Sequence, residues 1–257
     1  MASLTLASLA ASSAAAAKPI LVLCEDFDHA AAWAAQGLRR RGVEVDIVCG
    51  TDLAAAPQLE HRVGRAGATI EIALASGRRL SSRTVGGVLN RLSFLPSAWM
   101  QRIGGPDRDY AVQEMYALYV SWLNSLPGPL FNPPAPQGLC GNWRHPSAWA
   151  ALAGRAGLPV ACYRQTSDVD PTTLWPMPTT APATLLVVGE RVVGQAAGLR
   201  HLDDACRRLA RAANVRLLGI DFAPGAQGWR FAGASVMPDL TRGGEPLVDA
   251  LAQELAA

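Results

Sequence analysis

Pro19-Ile20-Leu21-Val22-Leu23-Cys24 is an unbroken apolar run that stops at Glu25-Asp26-Phe27-Asp28. A short continuous run, rather than an alternating one, is the pattern of a strand buried on both faces of a parallel sheet. A helix is expected next, over residues 29–41. Asp28 would be its N-cap, Trp33 and Leu38 would turn inward, and Gly42 would stop it. Val43-Glu44-Val45-Asp46-Ile47-Val48 then alternates as a second strand. Strand, helix and strand make one βαβ unit, so the fold class is α/β with a parallel sheet and a right-handed crossover.

Beyond this unit, residues 68–74 and 79–82 flank Ala75-Ser76-Gly77-Arg78 and read as a β-hairpin. Residues 85–92 return as a sheet strand. Residues 107–126 read as a long helix in which Tyr110, Met115, Leu118, Tyr119, Trp122 and Leu126 recur at helical spacing, a core stripe. A short strand at 129–134, a helix at 142–157 and an extended run at 158–163 follow. Residues 167–182 hold Pro171, Pro176, Pro178 and Pro182 and read as a linker or surface loop. The rest reads as a hairpin turning at Gly189-Glu190, a helix at 201–213, a second hairpin around Pro224-Gly225 and a closing helix at 246–255. The expected organisation is a flexible Ala/Ser-rich tail at 1–18, an α/β domain at 19–134 and an α+β domain at 135–257.

Half of the 257 residues are hydrophobic and 17% are charged, the composition of a folded globular protein rather than a disordered one. A formal charge of +2 and a pI near 8.4 give no basis for a nucleic-acid-binding face. All but one of the 23 basic residues are arginine, and the exception, Lys18, precedes the first strand. That position excludes Schiff-base chemistry and a phosphate-loop lysine. Cys24, Cys49, Cys140, Cys162 and Cys206 are odd in number and lack a CxxC, and several sit within apolar runs, so they read as reduced thiols. The four histidines form no ligand pair, which argues against a zinc site. No basic residue precedes Lys18 to make a signal peptide, and no strongly apolar run spans a membrane. The expectation is a soluble, cytoplasmic protein.

This order of elements, and certain words within it, resemble the ATP-grasp superfamily. The branch it is most similar to modifies ribosomally made peptides by joining carboxylates to amines or hydroxyls. Leu21 to Asp28, the strand ending Leu89-Asn90-Arg91, the long helix and Phe131-Asn132-Pro133-Pro134 resemble the pre-ATP-grasp domain. Asn142-Trp143-Arg144, opening a helix that ends Ala156-Gly157-Leu158-Pro159-Val160, resembles a passage of the family. So do the hairpin Leu186-Val187-Val188-Gly189-Glu190-Arg191-Val192 and the strand Leu218-Gly219-Ile220-Asp221-Phe222.

The resemblance also implies losses. Members clamp ATP with lysines and a glycine-rich loop on a central lobe, but residues 164–183 are all that separate Tyr163 from the C-terminal hairpin. Where members read F-x-E-x-N, supplying Glu and Asn to Mg²⁺, this chain reads Phe231-Ala232-Gly233-Ala234-Ser235. Arg191 and Asp221 are the residual ATP-grasp positions. The resemblance therefore implies a parallel-sheet pre-ATP-grasp-like domain followed by a reduced α+β domain, without ordinary ligase catalysis and with no cofactor. An active ATP-dependent carboxylate–amine ligase using Mg-ATP and arginines such as Arg164, Arg191 and Arg216 is the alternative. A transferase using Glu25, Asp26 and Asp28 as acid or base is a third.

Ligands of open parallel sheets bind beyond the carboxyl ends of strands. Asp26, Asp28, His29, Asn90 and Arg91 are accordingly the candidate substrate-binding residues. A solvated strand end with a helix cap is the competing reading of the acidic cluster, and a surface or interface arginine that of Arg91. Arg144 and His145 fit either a helix start or an anion site. The expected partners are a peptide or small-molecule ligand and, from the resemblance, a homodimer or a complex with a pathway enzyme, with no nucleic acid and no membrane.

Overall fold

A computed structural model of the chain describes residues 18–65, 67–96, 104–161, 183–194, 197–225 and 228–255. The expected linker, Cys162, Arg164 and the tail before Lys18 lie outside them.

The opening unit forms as its pattern dictates. Strand β1 (Ile20–Cys24) is buried at every residue, and helix α1 (His29–Arg40) starts where the Asp28 carboxylate accepts the Ala31 N–H at 2.9 Å. Strand β2 (Val45–Cys49) runs parallel to β1, in register from Ile20 beside Val45 to Cys24 beside Cys49, and leads into a one-turn helix α2 (Gly50–Ala54). An antiparallel sheet of β3 (Gln58–Gly64), β4 (Gly67–Ala73) and β5 (Arg79–Ser81) follows, in that order. The expected hairpin is β4–β5. Strand β3 is an addition that periodicity did not reveal, since it is a polar edge strand with no buried residue.

Strand β6 (Gly87–Asn90) returns beside β1, and β7 (Leu130–Phe131) adds to it, giving an all-parallel sheet ordered β2-β1-β6-β7. Helix α3 (Pro106–Asn124) covers one face of this sheet with Tyr119 and Trp122, edge to face at 5.7 Å. Tyr110 departs from the expected stripe: residues 107–110 are all exposed, Tyr110 at 67%. Helix α4 (Pro146–Arg155) begins later than residue 142, because Pro146 takes its first turn and the His145 ring accepts the Ser147 N–H as cap.

The second half is an antiparallel sheet of β8 (Ala183–Val188), β9 (Arg191–Val193), β10 (Leu217–Gly225) and β11 (Gly228–Ser235), ordered β11-β10-β8-β9. Helix α5 (Asp203–Ala213) follows a 3-10 turn at Ala197–Leu202 and shares a core with α4 against one face of this sheet. The last helix, α6 (Gly244–Leu255), joins the halves. Ile20, Val22 and Cys24 of β1, the inner face of α1, Leu247, Val248 and Leu251 of α6, and Leu186, Val188 and Leu217 of the second sheet form one core cluster. Helices α1 and α6 meet at Gly37, where an added Cβ would lie 2.8 and 2.9 Å from the Val248 methyls.

Candidate binding site at the carboxyl edge of the parallel sheet

The candidate residues converge on the edge where β1 and β6 end, but they divide by environment. Asp28 and Arg91, 63 residues apart, form a bidentate pair. Arg91 Nε donates to Asp28 Oδ2 at 2.6 Å and Nη2 to Oδ1 at 3.2 Å, with side chains only 4% and 8% exposed. Arg91 Nη1 donates to the Pro238 carbonyl at 3.0 Å, so the guanidinium also ties this edge to the segment before α6. Asn90 is fully buried. Its Nδ2 donates to the Asn132 and Leu139 carbonyls at 3.0 and 2.7 Å, and its Oδ1 accepts the Leu92 N–H.

Asn132 was not among the candidate residues, yet it extends this wiring. Its Nδ2 donates to the Leu217 and Val236 carbonyls, and its Oδ1 accepts the N–H groups of Arg216 and Leu217. One buried amide thus bridges β7 to β10. A buried side chain with every polar atom matched to backbone is rigid and specific. Asp28, Asn90 and Arg91 present these bonds inward.

The outward part of the edge is different. Asp26 is exposed, with Oδ1 accepting the Thr51 hydroxyl at 2.6 Å, and His29 is exposed one residue beyond the cap. Glu25 Oε1 accepts the N–H groups of Ser93 and Phe94 at 3.1 and 3.2 Å, holding the loop after β6 against the end of β1. Phe27 and Phe94 are 71% and 69% exposed on these two segments. Just inside the edge, burial pushes the Cys24 thiol up to about 12 and raises Cys49. The outward surface thus combines carboxylates, an imidazole and two aromatic rings.

Asp221 lies on the other sheet. Its Oδ1 accepts the Thr184 hydroxyl at 2.6 Å, and the same hydroxyl oxygen accepts Arg242 Nη1 at 2.6 Å. Neither Thr184 nor Arg242 stood out in the sequence, because they meet only through strand register and the turn before α6. Directly across from Asp221 on β11 is Gly233, where an added Cβ would meet nothing within 4 Å, and Ser235 pairs with Gly219. Arg191 pairs with Val188 while Asp221 pairs with Thr184, so about 13 Å of strand separates the two residual positions. The structure does not bring them together. Among the described residues no group of three His, Cys, Asp or Glu side chains could hold a metal ion.

Arg216 stacks 4.7 Å from the Phe131 ring centroid and donates to Glu254 at 2.6 Å. Arg144 lies 5.3 Å from the Trp149 ring centroid and donates to the Ala213 carbonyl. Two clefts of about 380 and 400 Å³ flank the β8–β9 turn. Glu190 lines both, and the Arg211 guanidinium holds its carboxyl below the usual range. None of Asp26, Asp28, His29, Asn90 and Arg91 lines either cleft. No helix among the described residues is long and apolar enough to cross a membrane.

No protein-family model and no curated protein sequence matches the chain. Solved structures do. Macrocyclase MdnB from Microcystis aeruginosa MRC superposes with a TM-score of 0.66 at 14% identity, over 93% of this chain and 99% of that one. Macrocyclase MdnC of the same organism, bound with precursor peptide MdnA, gives 0.67 at 12% identity, over 92% and 99%. A RiPP-associated ATP-grasp ligase of Chryseobacterium gregarium, in complex with ADP and a leader and core peptide, gives 0.64 at 12%, over 93% and 96%. With the parallel sheet, the second antiparallel sheet and the shared closing helix, this likeness shows that the chain has the ATP-grasp fold.

Proposed function

We propose that this chain is a non-catalytic binding protein built on the ATP-grasp fold. It holds a peptide, or a small molecule of similar chemistry, for partner enzymes of a biosynthetic pathway. The observation that carries the reading is the register opposite Asp221. Mg²⁺ takes about six hard oxygen ligands and is usually held by one or two carboxylates plus substrate phosphates. Here the facing strand offers Gly233, with open space where a carboxylate would fit, and Ser235 two pairs further on. Asp221 itself is engaged by Thr184. The chain's single lysine precedes β1, on the amino side of the parallel sheet, and cannot serve as a phosphate clamp at its carboxyl edge. These residues do not fit Mg-ATP, and no catalytic step through it is derived.

The peptide ligand is proposed because structural neighbours hold precursor peptides. On this chain we place it on the outward edge, at Asp26, His29, Phe27 and Phe94. An exposed carboxylate beside two exposed rings suits a segment carrying an amine or guanidinium next to an apolar side chain. Asp28, Asn90 and Arg91 position that edge from beneath. A homodimer or a complex with a pathway enzyme is the assembly we expect, to be read by light scattering.

The deciding experiment is thermal unfolding with millimolar Mg-ATP. A ligand at a hundredfold excess over its Kd stabilises by about 2.7 kcal/mol. The expected result is an unchanged midpoint. A raised midpoint that Asp221→Ala removes would overturn the proposal in favour of an active ligase.

A further inference from the structure

Cys24 and Cys49 end their strands side by side. They are the last pair of the β1–β2 ladder, directly opposite in parallel register. Both belong to the same core cluster, the one facing α1, so their side chains leave the sheet on the same face. Each thiol perturbs the titration of the other. Cys24 is buried, whereas Cys49 is partly open to solvent. Neighbouring strands lie about 4.8 Å apart, inside the Cα separation of roughly 4.4–6.8 Å that a disulfide spans.

We propose that Cys24 and Cys49 form an oxidation site, a dithiol that a low-molecular-weight disulfide converts to a Cys24–Cys49 disulfide across the ends of β1 and β2. The Cys49 thiolate attacks one sulfur of the oxidant and releases one thiolate, leaving a mixed disulfide on Cys49. Cys24 then loses its proton and its sulfur attacks the Cys49 sulfur, expelling the second thiolate. The protein loses two protons and two electrons, and the oxidant is reduced to two thiols.

The position favours a reversible bond. Neighbouring strands lie about 4.8 Å apart, and a disulfide brings the two Cβ atoms to about 3.8 Å, so closure draws the strand ends together under strain. Strained, accessible disulfides are the labile ones. The adjustment falls at the end of the ladder, where β1 enters a turn and Cys49 caps the one-turn helix α2. The expected consequence sits next door: Asp26 follows Cys24 by two residues and bonds Thr51, two residues past Cys49. Closing the bond fixes the spacing between the end of β1, which leads into Asp26, Phe27 and His29 of the outward binding surface, and the segment that carries Thr51.

The test is native oxidation of the full-length protein with oxidised glutathione, followed by alkylation, tryptic digestion and mass spectrometry. Cleavage at Arg39 and Arg41 places the two cysteines on separate peptides. The expected product is a crosslinked pair of these peptides, lighter by two hydrogens than the sum of the two and released by dithiothreitol. In Cys49→Ser, and in Cys49→Ala as a second variant, Cys24 is expected to remain alkylatable. A stable glutathione adduct on Cys49 with Cys24 free, a crosslink through other cysteines instead, or an unoxidised pair would each overturn the proposal. The readout needs no ligand, so its failure would leave the binding function standing, and the failure of that function would leave the oxidation site standing.

Discussion

Arg91 shows what a buried charge does in this fold. Its guanidinium meets both oxygens of Asp28 and one backbone carbonyl, so all three sides of the fork are used. Removing one partner of a buried pair leaves the other charge uncompensated and costs about 3–5 kcal/mol. Arg91→Met is therefore expected to lower the unfolding free energy read from urea titration by about that amount, whereas the double variant Asp28→Asn/Arg91→Met, which keeps a neutral cap, should lose clearly less. Equal losses would mean the pair contributes little. A second residue-scale effect concerns thiols. Burial pushes Cys24, Cys140 and Cys206 each up to about 12. An unfolded thiol gives up its proton near 8.5. Between those values the unfolded chain binds fewer protons than the folded one, so stability falls as pH rises, by up to about 1.4 kcal/mol per pH unit per thiol, and is fully retained below that window. Urea midpoints followed from pH 8 to 11 should decline, and less steeply in Cys140→Ala. A flat profile in the parent protein would contradict the buried thiols.

Among the elements, α1 and α6 depend on one close approach. Glycine inside a helix normally costs about 1 kcal/mol relative to alanine. At Gly37 the sign should reverse, because the added methyl would press on both γ carbons of Val248. Overpacking of this kind costs about 1–3 kcal/mol. Gly37→Ala is thus expected to destabilise, and Gly37→Ala/Val248→Ala to lose less than the sum of the single variants, a coupling that a double-mutant cycle reads. Additivity would show that the helices adjust freely. The same elements show how much the sequence told. The βαβ opening, both C-terminal hairpins and the longer helices carried their own periodicity; their bounds moved by one to four residues, as where Pro146 or a 3-10 turn reset a helix start, and the one-turn helix α2 was not expected. Strand β3 was invisible because an exposed edge strand has no apolar face to read. The candidate edge was legible as a place, the acidic end of the first strand. Which of its residues face inward was not, since Arg91 reaches Pro238 across 147 residues and no local pattern encodes such a bond.

At the scale of the molecule, the apparent division near residue 135 does not divide the core. Helix α6 comes last in the chain yet buries its inner face against α1 and β1 at the beginning, and β8 and β10 contribute to the same cluster. Asn132 adds four bonds across the division, of which the two to Leu217 are buried. A fragment ending at 134 would expose the apolar face of α1 and leave the Asn132 amide without its acceptors, at about 1–3 kcal/mol for each buried polar group left unmatched. The second half alone would expose the inner faces of α6 and β8. The intact chain should therefore unfold in one cooperative step, with near-ultraviolet and far-ultraviolet signals coincident in urea. Neither fragment 1–134 nor 135–257 should show such a transition by itself. Two resolved transitions, or a folded N-terminal fragment, would mean that the halves are independent domains and that the bonds through Arg91 and Asn132 are accessory to a fold each half can reach alone.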